Sequence, residues 1–167
     1  MSGYSPPVSA PVHEAVMPLA FLLGRWAGEG EGSYPTIEPF LYGEEITLSH
    51  VGKPFLAYAQ RTWRLDDGRP LHAETGYWRC PSPTHVEVVL SHPTGVVEVS
   101  EGSLRSTSVV LSSTAIARTA TAKEITAIAR RIDVEGDQLV YHLDMAAVGV
   151  ELCGHLQATL HRVSAPL

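Results

Sequence analysis

The sequence has few cysteines and little positive charge, and each shortage excludes a class of protein. Its 167 residues include only two cysteines, Cys80 and Cys153, and no CxxC motif. We therefore expect free thiols rather than a disulfide framework or a thiolate zinc site. Lysine and arginine number 12 against 18 aspartates and glutamates. This balance gives no basic stripe for phosphate contacts, so nucleic-acid binding is not predicted.

Long apolar runs are also lacking. No stretch approaches the roughly 18 apolar residues that a membrane-spanning helix needs. Residues 1–12, MSGYSPPVSAPV, have neither the charged start nor the apolar middle of a signal peptide. We therefore expect a cytoplasmic protein with no membrane partner. A proline-rich, disordered tail over residues 1–12 is expected to precede a single domain over residues 13–167.

Glycine is concentrated in the most unusual stretch, residues 24–40, which read GRWAGEGEGSYPTIEPF. The alternation of Gly28, Gly30 and Gly32 predicts a strand with one bare face pressed against another backbone. The opposite face carries Trp26, Glu29 or Glu31, depending on the register. Such a strand suits a closed barrel whose first strand bends sharply. A glycine-rich loop is the alternative. A phosphate-binding loop fits less well, because no Lys-Ser/Thr pair ends the run.

The remaining chain predicts short antiparallel strands and one short helical segment. Apolar spacing over residues 13–23 favours a helix that Pro18 breaks. The two prolines of residues 34–39 predict a stiff segment that cannot join a central strand and that crosses an opening. The alternation pattern and the turn residues predict strands at 42–50, 55–65, 71–79, 85–91, 95–101, 103–112, 115–119, 124–132, 138–146 and 155–163. Together with the glycine-rich strand, the predicted number of strands is ten or eleven.

The GxWxGxG motif at Gly24, Trp26, Gly28 and Gly30 resembles the signature of the nitrobindin family, small haem-binding β-barrels related in architecture to fatty-acid-binding proteins. Five further blocks follow that family's order: EEITLSHVGKP, LHAETGY, HPTGVVEVSEG, TAKEITA and HLQATLHR. Together they cover about residues 17–163. The resemblance implies an all-β fold, an antiparallel ten-stranded closed β-barrel with a short N-terminal helical cap. Because the family has ten strands, one of the predicted strands must be an extension of its neighbour or a wrong assignment.

The resemblance also implies one ferric haem b per chain, held by His155, which opens the last strand. A lone histidine is otherwise most often structural. Thr36 matches a threonine of the family that contacts the haem; its alternative role is a hydroxyl that stabilises a turn. Lys123 matches a lysine that pairs with a haem propionate; its alternative role is a solvated lysine in a turn. Contacts with the macrocycle, or else core packing, are expected of Tyr34, Phe40 and Met145.

His155 creates a conflict of strand parity. If its side chain points into the lumen, strict alternation turns three apolar residues of the strand outward: Leu156, Ala158 and Leu160. Either a bulge near Gly154 breaks the alternation, or this apolar stripe is covered by the cap or by a second copy of the chain. A homodimer is therefore one predicted resolution.

The resemblance implies nitric oxide binding and isomerisation of peroxynitrite to nitrate by an iron acting as a Lewis acid beneath an apolar distal wall. One alternative is a carrier of a fatty acid or another apolar molecule. A clamp for the carboxylate is not evident, although Arg130 or Arg131 near Tyr141 could imitate one. A second alternative is a nitric oxide sensor with a separate output protein.

No catalytic role is predicted for the other conspicuous residues. His50 either faces the distal side or begins a turn, and the sequence does not decide between them. Because no GxSxG elbow or dinucleotide-binding loop is present, hydrolase and dehydrogenase functions have no support. The remaining tryptophans and histidines are interpreted as structural or surface residues: Trp63, Trp78, His13, His72, His85, His92, His142 and His161.

Overall fold

Ten antiparallel strands follow one another around a closed barrel in the computed structural model, which describes residues 10–164. Each strand pairs with its neighbours in the chain, and the first pairs with the last. A 3₁₀ helix, the cap (Glu14–Leu22), precedes them. The strands are β1 (Gly24–Tyr34), β2 (Ile37–Ser49), β3 (Leu56–Arg64), β4 (Pro70–Ser82), β5 (His85–His92), β6 (Val96–Arg105), β7 (Ser108–Arg118), β8 (Ile125–Glu135), β9 (Gln138–Ala147) and β10 (Val150–Ser164).

The expected ten-stranded barrel with an N-terminal helical cap is confirmed, and the surplus strand is explained by β7. The sequence pattern predicted three strands over residues 95–119, but the structure has two, separated by a turn at Ser106 and Thr107. The polar run Ser112–Thr114 looked like a break. It is a bulge, because Val99 pairs with Ala115 while Ser100 pairs with Ser113. A bulge interrupts the pairing for one residue without ending the strand.

The prediction that residues 34–39 cross an opening is wrong. Tyr34 pairs with Ile37 across a tight turn, and β2 begins at Ile37, so Pro39 lies within a strand. Pairing of β2 with β3 begins only at Tyr42. Proline is tolerated where one edge of a strand has no ladder to complete. The segment therefore extends the rim of the barrel instead of crossing its opening.

The alternating glycines of β1 face the lumen side of the strand, where space is short. A Cβ on Gly28 would meet the backbone of β10, 2.8 Å from the Leu160 Cα atom, as the bare-face prediction implies. On Gly32 it would overlap the Phe40 ring. Of the residues expected on the opposite face, Glu29 and Glu31 lie there and are exposed. Trp26 does not, because its even position gives it the same parity as the glycines, and it is fully buried.

The cap is a continuous 3₁₀ helix that contains Pro18, not two pieces broken by it. A 3₁₀ helix has three residues per turn, so residues three apart share a face. Val16, Leu19 and Leu22 are accordingly the buried residues of the helix. Leu23, which α-helical spacing also selects, is buried but lies just after the helix, and Ala20 is only partly buried. The described residues contain no helix with the length and apolar character needed to span a membrane.

Contacts at the start of β1 and the end of β10 fix the cap to one end of the barrel. The Trp26 indole donates to the Leu22 carbonyl at 2.9 Å. The Arg162 guanidinium lies 4.0 Å from the centre of the Trp26 ring and donates to the carbonyls of Phe21 and Leu23. This end is therefore closed, and access to the interior lies at the opposite rim. The predicted tail over residues 1–12 falls largely outside the described residues.

Candidate functional site

The barrel encloses a cavity of about 780 Å³ that reaches from the rim down to the cap. Near the rim its wall is mainly apolar, with Ile37, Phe40, Leu71, Met145 and Leu156. Below these residues polar side chains join the wall, and beside the cap it is apolar again, with Leu22, Leu48 and Trp78. An apolar ligand therefore finds an apolar surface near the opening.

His155 occupies a β-bulge at the rim. Gly154 pairs with Asp144 and Leu156 pairs with Leu143, so His155 is the extra residue on β10. The bulge restores the alternation after it, and Ala158 and Leu160 are buried inside the barrel. The parity conflict is thus resolved by the bulge, and β10 has no outward apolar stripe at these positions for a second copy of the chain to cover.

The ring of His155 is half-buried and held by neighbours on β1. Its Nδ1 lies 3.0 Å from the Ser33 carbonyl, to which it donates when it carries the proton. Its ring packs edge-on against Tyr34, with 5.3 Å between ring centres. The Tyr34 hydroxyl accepts from the Ala147 amide at 2.9 Å, which anchors Tyr34 to β9. A backbone carbonyl on one ring nitrogen fixes the tautomer and leaves the lone pair of Nε2 free, as is usual for a metal-binding histidine.

The other residues expected at a haem site lie at different distances from the cavity. Phe40 and Met145 line it, and the exposed Lys123 in the β7–β8 loop lies at its mouth. Tyr34 is buried behind His155. Thr36 is exposed at the tip of the β1–β2 turn, beside the cavity-lining Ile37. The structure therefore brings Phe40, Met145 and Lys123 together with His155.

A layer of buried polar side chains crosses the lumen below this apolar zone. The Glu44 carboxyl accepts from the Gln60 amide and from the Tyr141 hydroxyl, each at 2.8 Å. Tyr42 joins the layer through a 2.7 Å hydroxyl contact with Tyr141. Burial raises the pKa of Glu44 to about 7, although both hydrogen bonds favour the ionised form.

Arg130 joins two further carboxylates in the same layer. Its guanidinium donates to Glu74 at 2.9 Å and also to Glu98. Burial alone would raise the pKa of Glu98, but the His92 contact, the Arg130 charge and a 2.6 Å hydrogen bond from Ser100 lower it to about 2. The pKa of Arg130 rises despite its burial, because Glu74 and Glu98 favour the cation. Arg130 therefore stays charged and paired.

Two histidines complete the polar layer. His72 Nε2 lies 3.1 Å from His92 Nδ1, and both residues line the cavity. Burial lowers the pKa of His72. The interpretation of these histidines as structural or surface residues did not anticipate their place on the cavity wall. Alternation in β4 carried a usable signal, because His72 and Glu74 share the parity of the core residue Trp78.

His50 lies far from this wall, at the capped end of the barrel. Its Nδ1 accepts from the Gly52 amide at 3.4 Å in the turn after β2. Of the two possibilities that the sequence left open, the structure supports the turn.

A closed antiparallel barrel with one capped end, an interior cavity and a rim histidine with a free ring nitrogen defines a small ligand-binding β-barrel. Residues 15–162 match the family described as the THAP4-like, heme-binding beta-barrel domain. The chain belongs to this family, which confirms the resemblance seen in its sequence.

Similar proteins share most of the chain. Peroxynitrite isomerase 1 of Mycolicibacterium paratuberculosis is 53% identical over 155 residues, which are 90% of this chain and 96% of that protein. Peroxynitrite isomerase of Nocardia farcinica is 52% identical over 94% of this chain and 96% of its own length. The crystal structure of Rv2717c from M. tuberculosis superposes with a TM-score of 0.87 at 46% identity, and the match covers 92% of this chain and all of that one (100%).

Proposed function

We propose that this protein binds haem at the open end of the barrel through His155 and isomerises peroxynitrite to nitrate. The observation that carries the proposal is the rim bulge, which sets His155 beside the cavity with Nδ1 on the Ser33 carbonyl. Membership of a heme-binding barrel family and the names of its curated relatives support it.

The residues around His155 suit a porphyrin. Phe40, Met145 and Leu156 offer an apolar slot next to the imidazole, as a macrocycle requires. Lys123 lies at the mouth, where a propionate can pair with it without burying either charge. Thr36 and Tyr34 keep their predicted role near the haem as part of this proposal, Tyr34 by holding the His155 ring in place.

When bound, a haem supplies an iron centre that acts as a Lewis acid on peroxynitrite. His155 contributes the Nε2 lone pair and keeps its proton on Nδ1. The Ser33 carbonyl and the Tyr34 ring restrict rotation of the imidazole. The apolar side chains near the rim limit access of water to the reaction. A ferric haem b at one per chain, nitric oxide as a second ligand, a cytoplasmic location and a homodimer are finer parts of the same proposal.

The polar layer disfavours the alternative of a fatty-acid carrier. Arg130 faces the lumen as that alternative requires, but its guanidinium is already bonded to Glu74 and Glu98. The Tyr141 hydroxyl likewise donates to Glu44. A fatty-acid carboxylate that entered this layer would meet the protein's own carboxylates, and repulsion between like charges opposes its binding.

Peroxynitrite decay tests the proposal. Haem-loaded wild-type protein should accelerate the decay with nitrate as the product, and His155→Ala should lose both the haem and the acceleration. His161→Ala is the matched control, because His161 is exposed farther along the same strand. Wild-type rates and nitrate yields in the His155→Ala variant would contradict the proposal.

A further inference from the structure

We propose that the polar layer of the lumen binds a divalent transition-metal ion of the zinc type on His72, Glu74 and His92. His155 lines the same cavity but is not one of these three ligands. His72 and Glu74 lie two residues apart on β4, and His92 ends the neighbouring β5. All three side chains line the cavity.

The three donor atoms already stand at the spacing of metal ligands. His72 Nε2 is 3.1 Å from His92 Nδ1, and Glu74 Oε1 is 3.6 Å from His92 Nδ1 and 3.9 Å from His72 Nε2. Ligands of a tetrahedral zinc ion, bonded at about 2.0–2.2 Å, lie roughly 3.3–3.6 Å from one another. Two imidazoles and one carboxylate form a ligand set of catalytic zinc sites, which leaves the fourth position to the cavity.

A second layer of contacts orients these ligands. His92 Nε2 lies 3.4 Å from Glu98 Oε2, and neither buried atom has a hydrogen bond elsewhere in the described chain. A metal-bound histidine typically directs its other N–H at such a carboxylate. Arg130 donates at 2.9 Å to Glu74 Oε1, the oxygen that would also bind the ion, and the Tyr58 hydroxyl donates at 3.3 Å to Oε2. The ligands are therefore positioned before an ion arrives.

The charges of the layer also favour a cation. Glu74 and Glu98 share the single positive charge of Arg130, which leaves one buried negative charge uncompensated when both histidines are neutral. Buried charge is costly unless it is paired, and a divalent ion bound between the carboxylates supplies the pairing. The competing arrangement is a proton on His92, which would make an imidazolium between His72 and Glu98.

A second group of metal-ligating residues on the outer surface makes a useful control. His85, Glu87 and Glu101 also lie close together. However, Glu87 is paired with Arg79 at 3.2 Å, and His85 and Glu101 are partly solvated, so this group lacks the buried, unpartnered atoms of the lumen site.

Cobalt titration of the haem-free, full-length chain tests the site. Co²⁺ should bind once per chain with the intense visible bands of tetrahedral coordination, and Zn²⁺ should displace it. His92→Asn should weaken binding at least about 100-fold. His72→Asn, at a side chain that is 33% exposed, provides a second variant if His92→Asn unfolds. His85→Asn and His155→Ala should bind as the wild type does.

Several results would overturn the proposal. They are a wild-type chain that binds no Co²⁺ saturably, unchanged binding in folded His92→Asn or His72→Asn, and loss of binding in His85→Asn or His155→Ala. An imidazolium proton pattern at His92 in NMR spectra, unaffected by added Zn²⁺, would favour the protonated pair instead. Because haem is absent from the titration and His155→Ala is a control, failure here leaves the haem proposal untouched.

Discussion

Glu44 is a fully buried carboxyl whose hydrogen bonds do not offset the cost of ionisation inside the barrel. Burial raises its pKa from 4.5 to about 7. Between these values the folded protein binds more protons than the unfolded chain. The free energy of unfolding contributed by this group is therefore fully present below pH 4.5 and falls as the pH rises through about 7.

Replacing Glu44 should remove that decline. Between pH 4.5 and 7.5, we expect the free energy of unfolding to fall by roughly 3 kcal/mol less in the Glu44→Gln variant than in the wild type. Urea unfolding across this range measures the difference. Glu45→Gln is the neighbouring control, because Glu45 lies on the outside and its pKa is lowered, chiefly by the hydrogen bond from Arg25. A full wild-type decline in Glu44→Gln would contradict the account.

The roles and positions of individual site residues were predictable from the sequence to different extents. His155 stood out through the family pattern of its strand, but its orientation was not predictable, since the extra residue of a bulge follows no alternation. The polar layer was missed because glutamates in strands are normally solvated. Its pairing partners are also distant in the chain, with Arg130 32 residues from Glu98 and 56 from Glu74.

At the scale of elements, β1 depends on its glycines for close contact with β10. A Cβ on Gly28 would overlap the Thr159 carbonyl oxygen and lie 2.8 Å from the Leu160 Cα atom. Backbone atoms cannot rotate away as a flexible side chain can, so the two strands must separate. We expect Gly28→Ala to reduce the free energy of unfolding by about 1–3 kcal/mol or more.

Gly154 supplies the control for this prediction. A Cβ there would meet only the Asp144 carboxylate, at an ordinary 3.7 Å. Gly154→Ala should therefore unfold at the wild-type urea concentration or slightly above it. Equal stability of the Gly28→Ala and Gly154→Ala variants would show that β1 and β10 do not require the close approach.

The elements themselves were largely predictable from alternation and turn residues, and their irregularities were not. β9 was expected over residues 138–146 and runs from Gln138 to Ala147. The bulge in β7 was predicted to separate two strands, because a run of polar residues is also typical of a turn. The cap was read at α-helical spacing, since apolar residues three apart also fit an α-helix.

At the scale of the whole molecule, the barrel has two unlike ends. The cap and the Arg162–Trp26 contact close one end, while the bulge of His155 and the exposed Lys123 mark the other. The cavity between them has an apolar zone near the rim, the polar layer across the lumen, and apolar residues again beside the cap. The polar layer confines a flat apolar ligand to the zone near the opening, with its charged groups directed to the mouth.

Titration of hemin into the purified chain tests the central claim most directly. The wild type should shift the Soret band away from that of free hemin and saturate at one haem per chain, and His161→Ala should do the same. His155→Ala should leave the spectrum of free hemin unchanged while it retains the circular dichroism of the folded barrel. A wild-type Soret band in His155→Ala, or the free-hemin spectrum with the wild type, would contradict the account.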